Sequence, residues 1–273
     1  MLLPGTFLGV WNLISISSRR ASEGISPAWI QAHGHAQVFG WIGSFILGVG
    51  FYSIPKLRRL EPFALGSAWT IWAMWIAGVS LRWIANVYGI GWRVLLPLSG
   101  ALELSALVIF LRAVSAHRVQ PNEKADQRRV LIVLAGTLGL VAVLGMNLFE
   151  GVRLAINGSG PAFPPDFDQR LLAVMAWGFM VPFVWGFSTK WLPVFLGLRP
   201  TKIRLMLAAT TLNIVGLATY QAEQRFRAHL LFGSKCRSAR KEFSNQFMVV
   251  PKNSMVKQYA GYPGIVISSG RSL

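Results

Sequence analysis

Apolar and polar positions along this chain fall into long blocks, not single alternating steps. Largely uncharged runs recur at 1–18, 36–54, 63–81, 94–111, 130–149, 171–189 and 205–220. Each is about 16–20 residues, roughly the length that carries an α-helix across a bilayer. A β-barrel would alternate apolar and polar residues, and these runs do not. The pattern predicts an all-α fold: a polytopic transmembrane bundle of six or seven spans over residues 1–220, with a basic C-terminal tail at 221–273. The first and last runs are the weakest. The first lacks a basic leader and a small-residue cleavage site, so it reads as a span, or the remnant of one in a chain that starts late, and not as a signal peptide.

Composition agrees with this reading. The chain is 53% hydrophobic and 14% charged, against about 25% charged in soluble domains. A net charge of +17 raises the question of nucleic acid. The basic residues lie between the apolar runs, however, where the positive-inside rule accounts for them without a nucleic-acid partner. One side carries twelve: Lys56, Arg58, Arg59, Arg112, Arg118, Lys124, Arg128, Arg129, Lys190, Arg199, Lys202 and Arg204. The other carries six: Arg19, Arg20, Arg82, Arg93, Arg153 and Arg170. The first set is therefore expected in the cytoplasm. The lone Cys236 excludes an internal disulfide and any cluster built on cysteine.

The tail fits this scheme poorly. It adds nine Lys and Arg, and seven spans starting inside would put it outside, against the rule. "LNIVGLATY" gives way abruptly to "QAEQRFRAHLLFGSKCRSARKEF". Two readings stay open: a truncated or frameshifted gene product, and a basic, mostly disordered extension resting on anionic lipid.

The second run opens with two histidines, in "HGHAQVFGWIGSFILGVG". At 3.6 residues per turn, His33, Gln37, Gly40, Ser44 and Gly48 share one face. His35, Phe39, Ile42 and Ile46 fall nearly opposite. Gly40, Ser44 and Gly48 form a small-residue ridge that admits a neighbouring helix or a flat ligand. This spacing predicts that His33 looks into the bundle and that His35 points to lipid or another neighbour, unless the helix is broken at Gly34. A histidine at a helix end is often simply solvated, but an ionisable group at membrane depth is a functional candidate by default.

Residues 27–56, with "HGHAQVFGWIGSFILGVGFYSIPK", resemble the histidine helix of the NnrS family, membrane proteins that carry haem and copper. More distantly, they are similar to the second helix of haem–copper oxidase and nitric oxide reductase large subunits. Residues 177–200, "WGFMVPFVWGFSTKWLPVFLGLRP", look like a second signature segment of the same family. The resemblance implies a b-type haem, with copper as a possible companion. It implies His33, upstream of Phe39 and Gly40, as axial ligand, and His35 as second ligand, copper ligand or hydrogen-bonding neighbour. The families have nearly twice as many spans, and no later span here holds a histidine. A bis-histidine haem is thus closed to one chain. Met146, Met175 or Met180 would be the alternative axial ligand, although a methionine in a span more often packs.

Glu103 lies mid-span in "LPLSGALELSALVIFL". A carboxyl at that depth is either a proton-relay candidate or a neutral group bonded to Ser99 or a backbone carbonyl. Arg82 and Arg93 flank "WIANVYGIG", placed to meet haem propionates or lipid phosphates. Glu150 and Arg153 have the spacing of a helix-end ion pair. Trp69, Trp72 and Trp75 pack helices or wall a porphyrin, while Trp83, Trp92 and Trp191 read as interfacial anchors. No nucleotide-binding loop, serine-hydrolase signature or zinc motif is found.

The reading that follows is an inner-membrane haem protein connected with nitric oxide or respiratory chemistry. Its site would comprise His33, His35, Arg82 and Arg93, with Glu103 as relay. Its partners would be the bilayer and other membrane subunits or a second half-bundle. The rival is a truncated, cofactor-free remnant or scaffold. A transporter using Glu103 as its proton site is weaker, since no broken-helix pair is evident.

Overall fold

The computed structural model describes residues 2–19, 25–58, 61–116, 127–197, 199 and 202–248. Two compact units divide the chain, Met1–Ala222 and Glu223–Leu273. Among the described residues there are helices and no strands.

The first unit is a set of helical rods, one for each apolar run. They are α1 (Leu2–Arg19); α2 (Pro27–His35), a π-helical segment π1 (Ala36–Gly43) and α3 (Ser44–Arg58) in one rod; α4 (Leu65–Tyr88); α5 (Trp92–Ala116); and α6 (Gln127–Asn157). Next come α7 (Pro165–Ala173), a second π segment π2 (Val174–Met180) and α8 (Val181–Leu196), again in one rod, and then α9 (Ile203–Met248). Proline opens α2 and α7, where its fixed φ and missing N–H cost the helix nothing. Between α4 and α5 the chain reverses within three residues. Gly89 and Gly91 take φ of 67° and 54°, a left-handed region that glycine enters without steric cost.

Among the described residues, four helical stretches are long and apolar enough to cross a membrane: Trp92–Ala116, Leu131–Asn157, Pro165–Thr189 and Ile203–Gln224. The runs at 1–18, 36–54 and 63–81 are also helical over their described residues. Large apolar side chains point outward from the bundle, including Phe7, Trp72, Leu138, Phe149, Val184 and Leu212. A water-facing surface would not carry so many; a lipid-facing one would.

Inside, α4, α5 and α6 pack in sequence, with α2 and π1 against α4 and with π2 and α8 against α6. Glycines set the closest approaches. A Cβ on Gly139 in α6 would run into the backbone of Gly178 in π2. A Cβ on Gly43 would lie 2.5 Å from the Trp75 ring. Gly48, expected to belong to the close-approach ridge, has open space around it. The point of contact is therefore Gly43, on a different stripe of the rod.

The apolar core comes in two clusters. The larger holds Phe39, Leu47, Ile71, Trp75, Leu107, Phe110, Val143 and Phe179. Met146, Met175 and Met180 pack against it as ordinary filling side chains. The smaller holds Ala85, Leu96, Leu154, Phe163 and Phe167. On α4, α5 and α6 alike, the residues between the clusters are polar: Arg82; Ser99 and Glu103; Asn147 and Glu150. In the second unit α9 runs on to Met248, and residues 249–273 of the expected tail lie outside the described residues. So do His117 and most of the 112–129 loop.

The glycine contacts can be checked directly. Gly139→Ala should lower the thermal midpoint in detergent, with an overpacking cost of about 1–3 kcal/mol. Gly145→Ala, on the same helix with nothing within 4 Å, should be neutral or mildly stabilising.

Candidate functional site

The polar layer between the two clusters is the candidate site. Its centre is a contact between rods: His35 Nε2, at the end of α2, lies 2.8 Å from Glu103 Oε1 in α5. His35 is 8% exposed and Glu103 0%. At that distance one hydrogen is held between the two atoms. Ser99, one turn away on α5, donates its hydroxyl to the same oxygen at 3.2 Å. Gly78 on α4 makes room for the carboxylate, since a Cβ there would stand 2.7 Å from Glu103 Cγ. The His35 ring packs against Phe39, with centroids 4.6 Å apart. Phe39 is held in turn, its carbonyl accepting the Trp75 indole N–H at 2.8 Å.

Beside this pair, Arg82 of α4 donates through Nη1 to Asn147 Oδ1 of α6 at 3.1 Å, and its guanidinium covers the Phe163 ring at 4.0 Å. Asn86 donates to the Ala28 carbonyl at 3.3 Å and so ties α4 to α2. Gln31, one turn before His35, exchanges two hydrogen bonds with the Phe163 backbone. It also bonds Asp168, a half-buried residue of α7 within electrostatic reach of Arg82. On α6, Arg153 Nη2 stands 2.9 Å from Glu150 Oε1, the ion pair expected from their spacing. Several buried atoms of the layer have no hydrogen-bond partner in the protein: Glu103 Oε2, Arg82 Nε, Asn86 Oδ1 and Asn147 Nδ2.

The two histidines are placed opposite to expectation. His35 is the one inside the bundle. His33 is half-buried against α1, with Nδ1 2.7 Å from the Gly5 carbonyl oxygen. A Cβ on Gly9 would run into its ring. The reason is the π segment that starts directly after His35. Its i→i+5 bonding adds a residue to each turn. The ridge at Gly40 and Ser44 therefore cannot be projected back to His33 at 3.6 residues per turn. The buried face reads His35, Phe39, Gly43, Leu47, in steps of four.

A carbonyl only accepts, so His33 Nδ1 carries the hydrogen in that bond. In its neutral form the ring then keeps its lone pair on Nε2, the arrangement found in metal-bound histidines.

Arg82 also departs from expectation. It is 2% exposed and points into the layer, not toward the membrane surface, because its partners Asn147 and Phe163 lie inside. Arg93 does lie at the surface, donating to the Gly158 carbonyl at 3.3 Å beside the Trp92 ring. Trp69 and Trp72 face outward edge to face, and only Trp75 is in the core. Among the described residues, no three His, Cys, Asp or Glu converge in a way that would hold a metal ion.

The expectations missed Asn86, Asn147, Gln31 and Asp168. The available signal was polar side chains recurring beside Arg82 and Glu150 within otherwise apolar runs. His35→Ala should destabilise the fold by about 1–3 kcal/mol, because it takes from the buried Glu103 carboxyl the nearer of its two partners and leaves it the Ser99 hydroxyl. His33→Ala removes a half-buried bond and should cost about 0.5–1.5 kcal/mol. Thermal melts of the two variants in one detergent give the order.

No family model, curated protein or solved structure matches the chain, so these residues and their geometry carry the functional reading.

Proposed function

We propose that this is a multi-pass inner-membrane protein of six or seven spans that binds haem b through His33, in the manner of the NnrS proteins that residues 27–56 and 177–200 resemble. The observation that carries the proposal is the bond from His33 Nδ1–H to the Gly5 carbonyl at 2.7 Å, which leaves Nε2 as the basic nitrogen of the neutral ring. This donor set fits one axial ligand and no more. His35 is engaged with Glu103, and Arg82 with Asn147. Arg93, exposed at the end of the α4–α5 turn, is the arginine suited to a propionate. Bound there, haem would supply an iron able to bind a small diatomic such as nitric oxide. Copper is the alternative metal for the same imidazole.

A second reading has an observation of its own. Two of the four expected site residues, His35 and Arg82, are committed to partners inside the bundle, as they would be in a cofactor-free scaffold. Optical spectra separate the two readings. Protein produced with ample haem and purified in detergent should show a Soret band, and His33→Ala should lose it while still eluting as a single species. A colourless wild type decides for the scaffold.

Topology has its own measurement. With the loops around 55–62, 112–129 and 190–204 in the cytoplasm, Gln120→Cys in a Cys236→Ser background should resist an impermeant maleimide in intact cells. It should react once the cells are opened. Labelling from outside would reverse the orientation.

A further inference from the structure

We infer that the groove between the α7–π2 rod and α9 is a phospholipid site: an acyl chain lies along the groove and the phosphate meets Arg170 at its mouth. The inference uses neither the proposed iron ligand nor the polar layer.

Two polar pins with small residues between them build the groove. Asn213 of α9 donates its amide to the Trp177 carbonyl at 2.6 Å, and Gln221 donates to the Arg170 carbonyl at 3.1 Å. The pins stand eight residues apart on α9, roughly 12 Å along the helix. Between them Ala173 and Gly216 supply no bulk. A cavity of about 510 Å³ remains, lined also by Trp177, Leu217 and Tyr220. Pockets that hold small ligands span roughly 300–1,000 Å³. A Cβ on Gly216 would meet nothing within 4 Å. The walls are mostly apolar, and the groove is open on one side, where Trp177 is 55% exposed. Both helices that form it are long and apolar enough to cross a membrane, Pro165–Thr189 and Ile203–Gln224. The open side of such a groove faces acyl chains and not water.

Charge at one end selects a phospholipid over a bare hydrocarbon. Arg170 stands three residues before Ala173, on the same face and one turn nearer the start of the span. Its Nε donates to the carbonyl of the exposed Asp166 at 3.1 Å, which draws the guanidinium toward the helix start and so toward the headgroups. That bond uses neither terminal nitrogen. Glu150, within electrostatic reach of Arg170, is paired with Arg153. The planar fork of Arg170 is the group suited to a phosphate. Depth agrees, since Trp177 lies seven residues, roughly 10 Å, further into the span. A chain that enters beside the guanidinium therefore runs the length of the groove.

The test places the full-length protein in phosphatidylcholine vesicles with a trace of phosphatidylcholine that carries a photoactivatable diazirine on its acyl chain. A diacylglycerol with the same chain and no phosphate is the second probe. Peptide mass spectrometry compares adducts on the groove residues with those on Leu138, which faces outward on α6. In the wild type the groove should be labelled several-fold more than Leu138. Gly216→Leu fills the groove from α9 and should bring its labelling down to the Leu138 level. The thermal midpoint should not fall, because the space there is open. Ala173→Leu, from the opposite wall, should act alike and serves if the first variant folds poorly. Arg170→Gln should lower labelling by the phospholipid several-fold and leave the diacylglycerol adduct unchanged. Equal labelling of groove and Leu138 in the wild type, or labelling that survives both filling variants, overturns the site. Arg170→Gln without effect, or with equal loss for both probes, overturns the phosphate contact. Haem content enters none of these readouts, so a colourless protein leaves them intact.

Discussion

The hydrogen bond between His35 and Glu103 joins two ionisable side chains where neither can be left alone. A carboxylate without water or a partner costs several kcal/mol in an apolar interior, and a stranded imidazole is also penalised. Each therefore needs the other at hydrogen-bond distance. That requirement fixes the approach of the α2 rod to α5 at this level and places the glycine face of α4, at Gly78, against the carboxylate. Arg82 and Asn147 extend the same constraint to α6. The four rods meet in a polar layer because none could bury its polar residue separately.

The layer divides the core in two, and this has a consequence for stability. Burying a polar network adds little net energy compared with apolar packing of the same volume, while breaking it in part is expensive. Apolar packing in the two flanking clusters, aided by glycine contacts such as Gly139 against Gly178, holds the rods together. The polar layer then selects their register: a slip of α5 by one residue would turn Glu103 away from His35. A structure that retains such a layer at its centre is more naturally explained by use of the layer than by a gain in stability.

Two of the rods contain a π segment, Ala36–Gly43 in one and Val174–Met180 in the other. Such turns in helices are often found at functional sites, since they re-aim side chains without breaking the rod. In the first segment the effect is visible. The π turns carry the buried stripe from His35 through Phe39 to Gly43, where Trp75 packs against the backbone. In the second, Gly178 meets α6 and the Trp177 carbonyl accepts the Asn213 amide at 2.6 Å. There the π turn frees a carbonyl that a regular helix would have used internally.

The chain's own residues determined the rods. Apolar run length and breaks at Gly, Pro and charged residues are local properties, so the runs at 94–111, 130–149 and 171–189 lie within helices, which extend past them at both ends. Glu103 was recognisable as unusual because a carboxylate in an apolar run contradicts its surroundings whatever the fold. The Glu150–Arg153 pair was legible for the same local reason, being three residues apart on one helix. Only the tertiary structure decided which histidine is inside, which partner Glu103 takes and where Arg82 points. Facing depends on phase summed along a rod, and a single π segment shifts that phase in a way composition does not announce. Partners such as His35 and Glu103, or Arg82 and Asn147, stand more than sixty residues apart. Nothing local connects them; packing brings them together.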